Sequence, residues 1–464
     1  MKTKQSLDTF NSMSVPQAVI RNAIPAMAAM LMTLIYNLAD TFFIGQTNDP
    51  YQVAAVSLAS PVFMIFMAVG MVFGIGGTSV ISRAMGEGRK EYAKKVCAFC
   101  MWGCIATGII CSCLLLLCMD HLLPIMGVSS ETYDHVKSYL TIVSCGGIFM
   151  MISNCFSNIL RAEGEATKAM TGQIIGNLLN VALDPIMILV FHWNISGAAI
   201  ATVIGNIAAT TYYILYYLCG KSTLSIHIKD FSIKDRICSN VFIIGIPVAF
   251  SSVLMSVSQI IMNGIMAGYG DMAVAGIGVA TKVLMISGML AMGIGQGVQP
   301  LLGFCIGAKT WERYNKILKF SLCFSFIISL VMTSVCYLTV NQIVSAFLNK
   351  TDSFDYAVRF ARILLSTSSF FGVFYVLTNV LQAMGAAIPS LIINLSRQGL
   401  IYIPALYLLN SIIGINGLVW AQPVADFLSI MLAVILYIST SKKIMGEYKR
   451  TENICAKEEC SSTT

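Results

Sequence analysis

Long apolar runs separated by short polar breaks fill the chain from residue 18 to residue 440. A helix that crosses the hydrocarbon core of a bilayer needs about 20 mostly apolar residues. Twelve runs reach that length, at 18–44, 53–81, 96–118, 136–160, 169–191, 195–219, 240–267, 273–305, 317–347, 356–381, 387–410 and 415–440. The pattern predicts an all-α integral membrane protein with twelve transmembrane helices. Residues 1–17 are polar and lack a short apolar core before a small-residue cleavage site, so no cleaved signal peptide is expected.

The runs also repeat. "AIPAMAAMLMTLIYNL" from Ala23 matches "GIPVAFSSVLMSVSQI" from Gly245, an offset of 222. Gly74, Gly76, Gly86 and Glu91 match Gly295, Gly297, Gly307 and Glu312 at 221, as does "NILRAEG" at 158–164 with "NVLQAMG" at 379–385. "ISGAAIA" from Ile195 matches "INGLVWA" from Ile415 at 220. A register held this closely over so long a stretch is the mark of a tandem duplication. It predicts two six-helix lobes, 18–219 and 240–440, joined by a linker at 220–239 and followed by a polar tail at 441–464. Six is even, so both lobes enter the membrane from the same side and are related by a pseudo-two-fold axis along its normal, with a central cleft between them. Transporters place substrate sites at such interfaces and alternate access by rocking one bundle against the other.

Composition agrees with a bilayer. Hydrophobic residues are 57% of the chain and charged residues 11%, and mean hydropathy is +0.78, values that exclude a soluble globule with a charged coat. If both termini are cytoplasmic, the inside segments and adjoining helix ends hold 23 Lys and Arg and the outside segments four, with Lys282 and Arg397 inside spans. This positive-inside bias sets the orientation and accounts for the net charge of +7, leaving nothing to indicate nucleic-acid binding. Nearly all of the fifteen cysteines lie within spans. "CAFC" at 97–100 has metal-ligand spacing but neither a second pair nor a nearby histidine, so these cysteines are read as packing residues.

Against this apolar background the polar positions stand out. On the first span Thr33, Tyr36, Asn37 and Asp40 share one helical face. A carboxylate within a span costs roughly 2.5–3.5 kcal/mol on insertion scales, so Asp40 must face the bundle interior. The fifth span carries Gln173, Asn177, Asn180 and Asp184 on one stripe, followed by Pro185, which deprives a carbonyl one turn back of its donor. The sixth adds Thr202, Asn206 and Thr210. Two carboxylates, an amide and a hydroxyl are hard oxygen ligands suited to a small cation. They are equally a proton site, because burial and a neighbouring carboxylate both disfavour ionisation. At the matching positions the second copy has Met262, or Asn263 with one residue of slack, and Ala405, so the ionisable pair belongs to the first lobe alone. Arg397 on the eleventh span has two readings: a structural partner of Asp426, or a cleft residue that meets substrate.

The two-fold six-helix repeat, the "IP" of the first and seventh spans, "NLADTFFIGQ" and "SRAMGEGRKEYA" together resemble the multidrug and toxic compound extrusion (MATE) family over essentially the whole chain. The resemblance is to its prokaryotic, DinF-like branch, which has a cation site in the N-lobe. It implies two lobes in a V and export of amphipathic, often cationic drugs or toxic metabolites against H+ or Na+. It implies cation coupling by Asp40, Asn180, Asp184 and Thr202, with Na+ a candidate ligand of the first three, and helix bending at Pro25. Tyr36, Asn37, Asn177, Asn206, Gln259, Asn263 and Arg397 are the polar candidates for the cleft. The seventh and tenth spans lack the acids of the branch with a C-lobe cation site, so coupling is expected in the N-lobe. No cofactor beyond the coupling ion, no nucleic acid and no enzymatic activity is expected. The expected setting is a monomer among the lipids of a bacterial plasma membrane. The alternative reading is a lipid-linked oligosaccharide flippase of the same superfamily, against which stand the twelve spans and the scarcity of intramembrane cations.

Overall fold

The computed structural model describes residues 13–46, 50–126, 128, 130, 132–220, 222–348 and 352–462, apart from the side chains of 45, 50, 53, 54, 57, 125, 352 and 447–462. Residues 1–12 of the predicted N-terminal segment lie outside this description. The first lobe comprises α1 (Val15–Gly45), α2 (Pro50–Gly86), α3 (Lys90–Ile125), α4 (Tyr133–Ala162), α5 (Ala166–Pro185) and α6 (Asn194–Leu218). The second comprises α7 (Ile237–Ala267), α8 (Asp271–Gly307), α9 (Trp311–Leu338), α10 (Val340–Ser345), α11 (Asp352–Leu365), α12 (Phe371–Ala383), α13 (Ala387–Leu395), α14 (Tyr402–Ile413) and α15 (Ile415–Ser462).

Eleven of the described helical segments are long and apolar enough to cross a membrane, and α11 with α12 forms a twelfth span bent by 42°. The bend falls in "STSS", where Ser368 Oγ donates to the Leu365 carbonyl at 2.8 Å. Hydroxyls that bond to local carbonyls compete with the helical ladder. The ninth span is shorter than the expected 317–347: it ends at Leu338 and the chain resumes as α10. Thr339 Oγ1 bonds to the Val335 carbonyl at this joint. The fifth and eleventh spans contain π turns, at Ile186–Val190 after Pro185 and at Ser396–Leu400 between α13 and α14. The last helix runs on into the polar tail, which offers no proline to stop it.

The duplication survives in the backbone. Gly164 and Gly385, which end the fourth and tenth spans, have φ of 90° and 74°, a left-handed conformation that glycine adopts without steric cost. Lys309 takes the same conformation (φ 57°) as its counterpart Gly88 (φ 75°), so the turn is kept where the residue is not.

One hydrophobic core is shared by both lobes at the end that carries the basic loops: Val72, Ile81 and Phe156 of the first lobe belong to the same cluster as Val241, Leu301 and Phe374 of the second. At the opposite end the lobes have separate cores, around Phe66 and Leu140 in the first and around Val283 and Phe360 in the second. α1 packs on α8, and α2 on α7 and α8, along the shared end. There a Cβ added at Gly76, Gly86, Gly245 or Gly307 would collide with a carbonyl oxygen of the facing lobe. Gly264 and Gly278, toward the other ends of α7 and α8, face open space. The molecule is therefore closed at its basic end and open at the other, with the cleft between.

Candidate functional site

α1, α5 and α6 are held together by the polar stripes read from the sequence. Asn177 Nδ2 donates to Thr33 Oγ1 at 3.2 Å, joining α5 to α1. Asn180 Nδ2 donates to Thr202 Oγ1 at 3.1 Å, joining α5 to α6, and the Tyr36 hydroxyl also meets Thr202. Asn206 Nδ2 turns back to the Thr202 carbonyl at 2.8 Å. These side chains line a cavity of about 80 Å³ inside the first lobe, which extends along α5 as far as Gln173. Polar side chains set in otherwise apolar walls (Phe63, Met67, Met150), with that volume, suit a few waters.

Asp40 and Asp184 lie one helical turn beyond Tyr36 and Asn180. They are close enough to interact electrostatically, and Tyr139 of α4 interacts with both. Asp184 is fully buried. Neither of its carboxylate oxygens accepts a hydrogen bond from a described residue, and the same holds for Asp40 Oδ1 and Asn180 Oδ1. A buried carboxylate without donors needs a proton or a cation to neutralise it. The convergent acceptors are all oxygens, so the set fits a hard monovalent ion such as Na+ as well as it fits protons. Among the described residues no group of three or more His, Cys, Asp or Glu suits a metal ion, and Cys97 and Cys100 are core packing residues.

The remaining candidates separate. Asn37 is half-buried on α1 and does not line the cavity. Gln259 and Asn263 are exposed on α7 and bond to each other at 3.3 Å. Pro25 sits inside a continuous α1, beside the seam between lobes. Arg397 is 8% exposed and takes the structural reading: its Nε donates to Asp426 Oδ1 at 2.7 Å and Nη1 to the Tyr375 hydroxyl at 3.3 Å. Its guanidinium also lies over the rings of Phe371 and Phe374. The half-buried Lys282 lies over the Phe347 ring, 5.2 Å from its centroid. Tyr139 escaped the sequence reading because α4 carries no polar stripe that would single it out.

A model of the MatE family matches residues 25–186 and again residues 247–408, one match per lobe. Curated relatives include the multidrug export protein MepA of Staphylococcus aureus (strain NCTC 8325 / PS 47), 29% identical over 456 residues, covering 96% of this chain and 100% of the relative. MepA of Staphylococcus saprophyticus subsp. saprophyticus is 27% identical over 438 residues, covering 94% and 96%. Among solved structures, the outward-facing conformation of a multidrug resistance MATE family transporter of the MOP superfamily superposes with a TM-score of 0.89 at 23% identity, covering 97% of this chain and 99% of that one. At that identity the likeness speaks for the fold.

Proposed function

Because this chain belongs to the MatE family, we propose that it is a secondary active multidrug exporter that antiports amphipathic, often cationic compounds against H+ or Na+. The observation that carries the proposal is the pair of unpartnered carboxylates, Asp40 and Asp184, in one lobe beside a cleft open at one end. Asn180 and Thr202 complete the cation site, and Tyr36, Asn177 and Asn206 hydrate it. Cation on the pair and drug in the cleft favour opposite orientations of the lobes, which is the differential affinity that antiport requires. Residues 18–219 and 240–440 are the moving lobes, 220–239 their linker, and Pro25 the point where α1 bends.

The basic end is the cytoplasmic one, following the positive-inside bias. Both termini then lie in the cytoplasm of a bacterium, with the protein a monomer in its plasma membrane and the cleft facing outward. A flippase for lipid-linked sugars finds no support: Arg397, which could have met an anionic headgroup, is occupied by Asp426.

The test is movement of a fluorescent cationic dye in proteoliposomes, driven separately by a pH gradient and by a sodium gradient. The wild type moves dye under one of them. The double variant Asp40→Asn/Asp184→Asn, still folded, does not. Wild-type dye movement under neither gradient, or full movement by the double variant, overturns the proposal.

A further inference from the structure

Arg161 ends α4 at the basic side, 2% exposed, and no carboxylate is among its hydrogen-bond partners in the described residues. Nη1 donates to Asn158 Oδ1 and to Gln296 Oε1, both at 3.0 Å. Nη2 donates to Ser157 Oγ at 3.0 Å and Gln173 Oε1 at 3.2 Å, while buried Nε has no partner. Two of these contacts matter beyond packing. Gln173 lines the inner end of the cavity, whose walls include Tyr36 and Asn180, each one turn from a carboxylate. Gln296 belongs to α8, so the other contact crosses the seam between lobes.

Burying an unpaired charge costs several kcal/mol even after relaxation, and hydrogen bonding does not require it here. The matching residue of the second lobe is Gln382, whose backbone carbonyl accepts from Ser79 Oγ across the same seam at 2.5 Å, while its side-chain Oε1 accepts from Gln299 Nε2 of its own lobe at 3.4 Å. A neutral side chain thus occupies this position in the lobe without the ionisable pair, and a guanidinium occupies it in the lobe that has the pair. A positive charge bonded to Gln173 at the cavity wall repels any cation that enters there, and the species proposed above for the first lobe is a monovalent cation.

We infer that Arg161 is the inner gate of the cation route. Held by Gln296 while the basic end is closed, its guanidinium bars cations from passing between the cavity and that end. When the lobes part there, the bond to Gln296 breaks, the side chain is released from Gln173, and the cation leaves through the first lobe. The inference rests on the first-lobe coupling proposed above. It makes Arg161 a positioning residue that ties ion release to lobe orientation.

The experiment uses the full chain in proteoliposomes without drug and follows uptake of radioactive Na+ and of protons (internal pyranine) down imposed gradients. Arg161→Gln, which copies the second lobe, raises drug-free uptake of the coupling cation by at least about tenfold, because a fixed positive charge is removed from the ion's path. Arg161→Lys stays at the wild-type rate. Gln296→Leu keeps the charge but cuts the tether, and raises uptake less. Adding Asp40→Asn/Asp184→Asn to Arg161→Gln returns uptake to the wild-type rate, which a leak through a damaged bundle would not do. Wild-type uptake in an Arg161→Gln protein that still binds dye overturns the inference, as does a leak that persists without the two aspartates. If Arg161→Gln does not fold, Gln296→Leu decides, and unchanged uptake there overturns it. Failure of the coupling reading itself is registered separately, by dye movement in the double aspartate variant.

Discussion

If the first-lobe carboxylates couple transport to a cation, their number sets the voltage response of transport. Asp40 and Asp184 stand together with three carboxylate oxygens that accept no hydrogen bond, whereas Asp426 of the second lobe is already neutralised by Arg397 at 2.7 Å. If each first-lobe carboxylate takes one monovalent cation per cycle, a singly charged compound leaves as two charges enter, and one net charge crosses. At 100 mV that charge is worth about 2.3 kcal/mol, or roughly 50-fold in steady-state accumulation at about 1.4 kcal/mol per tenfold. A tenfold cation gradient adds about a hundredfold, because two ions move. Asp40→Asn leaves one exchangeable charge: exchange becomes electroneutral, the voltage factor falls to about one, and the gradient factor falls to about ten. The assay is dye accumulation in proteoliposomes clamped at 0 and about 100 mV with valinomycin and potassium. Wild-type accumulation that ignores voltage, or an Asp40→Asn protein that keeps the full voltage response, refutes the reasoning.

Three further outcomes are expected. Arg397→Met and Asp426→Asn each strand a buried polar partner and cost about 3–5 kcal/mol, whereas the double variant recovers most of that loss in detergent unfolding; additive losses would mean that the pair is not coupled. Gly245→Ala places a methyl against the backbone of Val72 across the seam, costs about 1–3 kcal/mol, and raises amide exchange at 72–86 and 295–307; unchanged exchange in a folded variant would show that the seam tolerates separation. Glu163, just beyond the end of α4, accepts from the Thr223 N–H at 2.5 Å and from Ser222 Oγ at 2.8 Å, and burial pushes its carboxyl above the ordinary glutamate range. An acid raised in the folded state adds stability that is fully present below its unfolded value and is lost as pH rises through its folded one. Exchange protection of the linker at 222–236 therefore falls as pH climbs through that window, and Glu163→Gln flattens the profile; a wild-type profile with the opposite slope would contradict the burial argument.

Much of this protein is written one residue at a time. Bilayer thickness fixes span length, so the apolar runs alone located the spans to within a few residues at most ends, and the duplication followed from glycines and prolines spaced by about one lobe. The stripes ending in Asp40 and Asp184 were legible because a helix puts every third or fourth residue on one face, and hydrocarbon makes a carboxylate there too costly to leave outward. The bend in the tenth span and the early end of the ninth were not, since hydroxyls that divert backbone bonds are apolar enough in sequence to pass for a continuous run. Whether Arg397 serves a cleft or an ion pair became visible only when the π turn between α13 and α14 was packed on α15 and Asp426 was found 2.7 Å away. The same is true of Tyr139, which gains its place from facing two acids on other helices. It is true above all of Arg161, an ordinary basic residue at the end of a span until tertiary contact sets it between a cavity in its own lobe and a glutamine of the other. Periodicity constrains what each helix must hide, but which hidden groups meet is settled by packing between helices far apart in the chain.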